Sequence, residues 1–161
     1  MTTQFKYFFF FIFIGLVSCN DNSVFDRYKT VGKTWHKDSI VQFDLPQLEL
    51  SKQYNLFITL RDNSDYKYNN IFLIVSLQQP NKQTKVDTLE FEMANPDGSL
   101  MGDGFSDIKE NKLVYKLNES FKLKGKYKLK IQQAVRETGK INPDINLQGI
   151  TEVGLRIENK N

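Results

Sequence analysis

The single cysteine of the chain, Cys19, follows Leu16, Val17 and Ser18, and at that spacing a thiol has a specific chemistry. An aliphatic residue, two small or tolerated residues and then Cys make the lipobox of bacterial lipoproteins. Its thiol becomes the thioether to diacylglycerol, and cleavage before it leaves the Cys as the first residue of the mature chain. One acyl chain holds a protein to a bilayer only marginally, whereas two or three, at about 0.8 kcal/mol per buried CH₂, hold it in effect permanently. The leader before Cys19 fits this reading. Lys6 is a short positive n-region, no acid occurs, six of the 13 phenylalanines crowd in, and Tyr7 to Val17 is uncharged and apolar. As a helix that run spans roughly 16 Å, about half a hydrocarbon core, so it reads as a cleaved export signal rather than a membrane span.

Other reactive chemistry is scarce. One cysteine excludes an internal disulfide, and one histidine leaves no set of His and Cys ligands for a metal cluster. A Ser-His-Asp or Cys-His site would need His36 as its base, yet the thiol is committed to lipid and no Gly-x-Ser-x-Gly elbow occurs. His36 therefore reads as a surface or packing residue beside Trp35, and no catalytic residue and no cofactor is expected. The run Asp97 to Asp107 is rich in Asp and Gly, so Asp97, Asp103 and Asp107 are candidate oxygen ligands for calcium. It lacks the alternating acids and closing Glu of an EF-hand, and reads first as a glycine-rich loop with aspartate-capped turns.

Two surface features remain. Lys126, Lys128 and Lys130 interleave with Tyr127, Leu129 and Ile131, within a stretch that also holds Lys112, Lys116, Lys122 and Lys124 against Glu110 and Glu119. Such a ribbon is the solvated face of a strand, guarded against edge pairing, or else a surface for acidic headgroups, lipopolysaccharide phosphates or an acidic partner. Tyr66, Tyr68 and Phe72 follow a polar turn and form either an exposed aromatic patch for a sugar or protein partner, or core packing for at least two of the three. The formal charge of +3, spread evenly along the chain, excludes a dedicated nucleic-acid binder.

The elements that must carry these residues are strands. A chain of 161 residues holds one domain. Residues 1–18 are the signal peptide, 19–34 read as a lipidated tether, polar and without a period, and 35–161 as the domain. In the domain, period two dominates. Tyr54, Leu56, Ile58 and Leu60 alternate with polar or outward positions, as do Leu89, Phe91 and Met93, then Tyr127, Leu129 and Ile131, and finally Val153, Leu155 and Ile157. Ile71 to Val75 is continuously apolar, which predicts a central strand covered on both faces. Further strands are expected at Ile40 to Leu45, Lys112 to Leu117 and Phe121 to Leu123, and Gln132 to Thr138 is a helical turn or the end of its strand. Turn signals such as Asn95-Pro-Asp-Gly98 and Asn142-Pro143 separate them. Seven or eight strands without intervening helices predict an all-β, antiparallel β-sandwich, jelly-roll-like, in one domain.

These residues also resemble a known family. Trp35-His-Lys-Asp-Ser39, Tyr54 to Arg61, Tyr66 to Leu73, Asp87 to Ala94, Asn95-Pro-Asp-Gly98, Gly102 to Ile108, Gln132 to Arg136 and Gly149 to Ile157 follow, in order and spacing, the pattern of the gliding motility lipoprotein GldH family. Lys67, where the family often has Pro, and Val135, where it often has Met, are small departures. The resemblance implies an outer-membrane lipoprotein of gliding bacteria, a non-enzymatic structural part of cell movement and the associated type IX secretion machinery, with protein partners in that apparatus and no catalytic residues. A lipid-anchored carbohydrate- or calcium-binding module is the alternative. Asn20-Asp21-Asn22 lacks the dense acidic run of a surface-export signal, which predicts the periplasmic face of the outer membrane. In the phylum of this family, Asp-Ser/Thr-aliphatic is an O-glycosylation pattern, so Ser39 and Thr88, each after an Asp, are candidate acceptors.

Overall fold

The computed structural model describes residues 22–104, 106–137 and 139–160. Cys19, the leader and Asn20-Asp21 lie outside the described residues, as do Phe105 and Thr138. The described residues form ten strands: β1 (Ser23–Thr30), β2 (Thr34–His36), β3 (Val41–Asp44), β4 (Gln53–Asp62), β5 (Asn70–Gln78), β6 (Thr84–Glu92), β7 (Lys109–Ser120), β8 (Lys128–Gln133), β9 (Asn146–Gln148) and β10 (Ile150–Asn159).

Period-two burial builds the core. One sheet turns Tyr54, Leu56, Ile58, Leu60, Leu113, Tyr115, Val153, Leu155 and Ile157 inward, and the other meets them with Val41, Phe43, Ile71, Leu73, Val75, Leu77, Leu129 and Ile131, all buried. The first sheet has the order β1-β10-β4-β7 and the second β3-β8-β5-β6, every pair antiparallel, with β2 and β9 forming a small ribbon apart. With the ribbon left out, the eight strands in chain order fall as first-eighth-third-sixth and second-seventh-fourth-fifth. That interleaving is the double Greek key of a jelly roll.

Antiparallel pairing sorts the loops between two ends. At one end β1 begins and β10 finishes, and the loops 45–52, 79–83 and 121–127 turn. The other end carries 31–40, 63–69, 93–108 and 134–149, with β2 and β9 among them.

Four expectations need correction. Most of the expected tether is sheet: β1 pairs with β10 from Ser23↔Glu158 to Thr30↔Glu152. Its polarity is that of an edge strand, and a register shift between Ser23 and Phe25 hides its period. β5 is central, but its residues alternate between buried and half-buried, leaving Phe72 and Ile74 on a face that no second layer of the described residues covers. Phe121 to Leu123 is no strand; Phe121 turns into the core under a loop. Lys126 and Tyr127 likewise precede β8 instead of alternating within it, and of the two readings from Gln132 onward the strand end holds, β8 finishing at Gln133.

Candidate functional site

At the end that carries β2 and β9, an open cleft of about 640 Å³ is lined by Asp65, Lys67, Tyr68, Glu137, Asp144, Asn146 and Gln148. Its lining is held in place from the core outward. Trp35 is fully buried and donates from Nε1 to the Ser39 carbonyl at 2.8 Å. Gln133, also buried, donates from Nε2 to the Asp144 carbonyl at 2.7 Å, and its Oε1 accepts from the Val135 amide at 2.9 Å. Asp144 is thereby fixed in place. One carboxylate oxygen accepts from the Asn146 amide at 3.0 Å and the other from the Tyr68 hydroxyl at 2.8 Å. Burial and this donation to Asp144 push the Tyr68 phenol up to about 12. Three carboxylates against one lysine make the cleft acidic, with the half-buried Tyr68 ring on its wall.

Of the two readings for Tyr66, a candidate for the partner surface, core packing holds: its ring is buried. Its hydroxyl donates to the Asn70 carbonyl at 2.7 Å, and its ring stands edge-on to Tyr68 with centroids 5.8 Å apart. Gly149, at φ +86, permits this packing, since a Cβ there would lie 2.1 Å from the Tyr66 nitrogen. Of the two tyrosines, only Tyr68 faces the cleft.

The lysine ribbon also divides. Lys112 pairs with Glu158 at 2.7 Å and lies 4.1 Å over the Phe57 ring, while Lys116 pairs with Asp87 at 3.1 Å. Lys128 and Lys130 stand half-buried on the outer face of β8, Lys128 with Asp44 3.9 Å away. Lys126 belongs to the loop 121–127 at the opposite end from the cleft, exposed with Lys122 and Lys124. The three lysines expected on one face are therefore split between a loop tip and a sheet.

Asp97, Asp103 and Asp107 do not converge. Asp97 closes an Asx turn, accepting from the Ser99 amide at 2.9 Å and its hydroxyl at 2.6 Å; Asp103 forms a backbone bridge with Glu110; Asp107 is exposed. Among the described residues, no three His, Cys, Asp or Glu side chains come together to hold a metal ion. His36 Nδ1 accepts from the Asp38 amide at 3.2 Å inside a turn. Ser39 and Thr88 are both exposed.

Two features escaped the reading of the residues. Asp62 is fully buried, one oxygen accepting from Asn111 Nδ2 at 2.7 Å and the other without a hydrogen-bond partner, and burial pushes its carboxyl up to about 6. The inward set Tyr54, Leu56, Ile58, Leu60 extends to position 62, so period two carried that signal. On the outer face of the same sheet, Arg61 binds Glu110 at 2.9 Å and Glu152 at 2.6 Å, its guanidinium 4.1 Å over the Tyr28 ring. Those partners lie far apart in sequence, and pairing alone reveals them.

Comparison with known proteins accounts for the whole sandwich. The family described as GldH lipoprotein matches residues 23–157. The Gliding motility lipoprotein GldH of Flavobacterium johnsoniae is 62% identical over 147 residues, covering 91% of each chain, and a GldH homolog of Christiangramia forsetii is 45% identical over 159 residues, covering 98% of each. Among solved structures, the VP2 subviral particle of infectious bursal disease virus overlaps 84% of this chain and 34% of that one at 13% identity, with a TM-score of 0.35, too loose to carry an argument. A match that runs from the first residue of β1 nearly to the end of β10, with relatives as similar as these, settles the affiliation: the chain belongs to the GldH lipoprotein family.

Proposed function

We propose that this chain is a non-enzymatic, lipid-anchored structural component of gliding motility and of the type IX secretion machinery coupled to it. Cys19 holds it on the outer membrane with its domain on the periplasmic face. The observation that carries this reading is the 62% identity to the Flavobacterium johnsoniae protein over nearly the full length of both chains. The lipobox supplies the anchor. A structural role is supported by the outer face of the β1-β10-β4-β7 sheet, where Arg61, Lys112 and Arg156 are tied to acids on other strands of that sheet. The one imidazole is engaged in a local turn.

In cells lacking the native gene, the wild-type chain restores spreading and fractionates with the outer membrane. Cys19→Ala is expected to lose both while remaining folded. Outer-membrane retention of Cys19→Ala would overturn the anchor, and crosslinking in intact cells reports partner and compartment together. Exposed Ser39 and Thr88 are the proposed glycan acceptors; an intact mass equal to peptide plus lipid would remove them.

The cleft favours a second reading, in which the chain binds a sugar. Tyr68 offers an aromatic face, and Asn146, Gln148 and Asp65 offer groups for hydroxyls. Tyr68→Ala abolishing capture on a glycan array would support it, and an array without signal would discard it.

A further inference from the structure

We infer that the end of the sandwich where β1 begins docks flat on the anionic phospholipid surface that carries the anchor, so that the acidic cleft points away from the membrane. The inference rests on lipidation of Cys19. Asn22 stands only three positions after Cys19, and its carbonyl accepts from the Asn159 amide at 3.1 Å at this end of the sheet. Three residues reach about 10 Å at full extension, roughly one Debye length at physiological salt. An acylated Cys19 therefore holds this end, and no other, inside the field of the headgroups.

The chemistry of that end fits the surface it must meet. Lys52, Lys82, Lys122, Lys124, Lys126 and Lys160 are all exposed there, and the acid in the same loops is Glu49, paired with Lys52 at 2.7 Å, so that with Asp21 of the tether counted the basic side chains still outnumber the acids. At the strand ends beside them, Asp44 and Glu119 are matched in number by Lys128 and Lys85. The opposite end is reversed, with seven acids against five lysines and arginines in its loops. Two apolar side chains, Leu50 and Leu123, stand 50% and 36% exposed among the lysines, placed to enter the interface.

The basic end is also rigid. Phe121 packs edge-on against Tyr127 at 4.8 Å and Tyr54 at 6.0 Å, all three buried beneath the loops. Their hydroxyls hold the backbone above: Tyr127 accepts from the Leu123 amide and Tyr54 from the Glu49 amide, each at 3.0 Å. Gly125, at φ +137, lies against Pro80 so closely that a Cβ would come within 2.8 Å, joining the loops 121–127 and 79–83. The lysines are thus carried on a fixed platform, each adding to attraction by a negative leaflet.

The test uses the acylated full mature chain in vesicles of phosphatidylcholine with or without phosphatidylglycerol. A fluorophore is placed at Ser51→Cys, on the basic end, or at Asn142→Cys, beside the cleft; both positions are exposed. Energy transfer to a headgroup acceptor is expected to be several-fold stronger from position 51 than from 142 when phosphatidylglycerol is present. That ratio should fall towards equality in pure phosphatidylcholine, at high salt, and in the triple variant Lys122→Glu, Lys124→Glu, Lys126→Glu. Equal transfer from both positions in anionic vesicles, or a ratio indifferent to the triple variant, would overturn the docking. Loss of gliding in the triple variant with its ratio intact would assign the lysines to a protein partner and also overturn it. An intact mass lacking acyl chains, with dye attached to Cys19, would instead strike the anchor on which the inference stands.

Discussion

Asp62 is a carboxylate placed where the core calls for an apolar side chain. Its oxygens meet one amide donor, and burial holds the carboxyl protonated up to about pH 6, against an ordinary value of 3.8. Because the folded state binds this proton more tightly than the unfolded chain, the contribution to stability is whole below about pH 4 and is lost as pH rises through about 6. Asp62→Asn keeps an oxygen for the Asn111 amide and carries no charge to bury. Urea unfolding is expected to show it more stable than wild type above pH 6, by about 3 kcal/mol, with the difference closing as the pH falls towards 4. An unchanged pH profile would mean that Asp62 is solvated. At this scale the residues were half legible. The turn capped by Asp97 depends on near neighbours, its carboxylate accepting from the Ser99 amide, whereas Tyr66 and Tyr68, two residues apart, part company because Gly149 pins one of them inside.

Strands were legible where one face is buried and one is wet. β4, β6, β8 and β10 show that alternation in their own residues, and β7 shows it over Asn111 to Tyr115. β1, β2 and β9 do not: the last two have three residues each, too few for a period, and β1 is an edge whose side chains bind partners on other strands, Arg156 to Asp26 at 2.6 Å and Arg61 over Tyr28. Gly154 shows how closely that edge is fitted, since a Cβ there would lie 2.1 Å from Thr59 Oγ1 and 2.8 Å from the Tyr28 ring. Gly154→Val should destabilise the fold by about 2 kcal/mol through overpacking, measured by thermal or urea unfolding. A chain resuming at Val31 after the lipobox would leave β10 as a bare edge. Size-exclusion is expected to show it aggregating where the full chain stays monodisperse, and a monodisperse truncation would show β1 to be dispensable.

For the whole molecule, the sandwich followed from period two and the family from motifs in order, but the polarity of its two ends could not be read along the chain. Each end gathers loops from distant segments, and only the strand order decides which segments share it. The same strand order sets how the protein carries mechanical load. β1 lies antiparallel to β10 along seven registered pairs, and its first residues are the ones nearest in sequence to the proposed anchor. With Cys19 acylated as proposed, a pull between the bilayer and anything held at the cleft would act along the strand axis, and would shear those backbone hydrogen bonds together instead of peeling them one at a time. A strand that passes for a leash in the sequence is a lap joint, in the orientation that best resists being pulled apart.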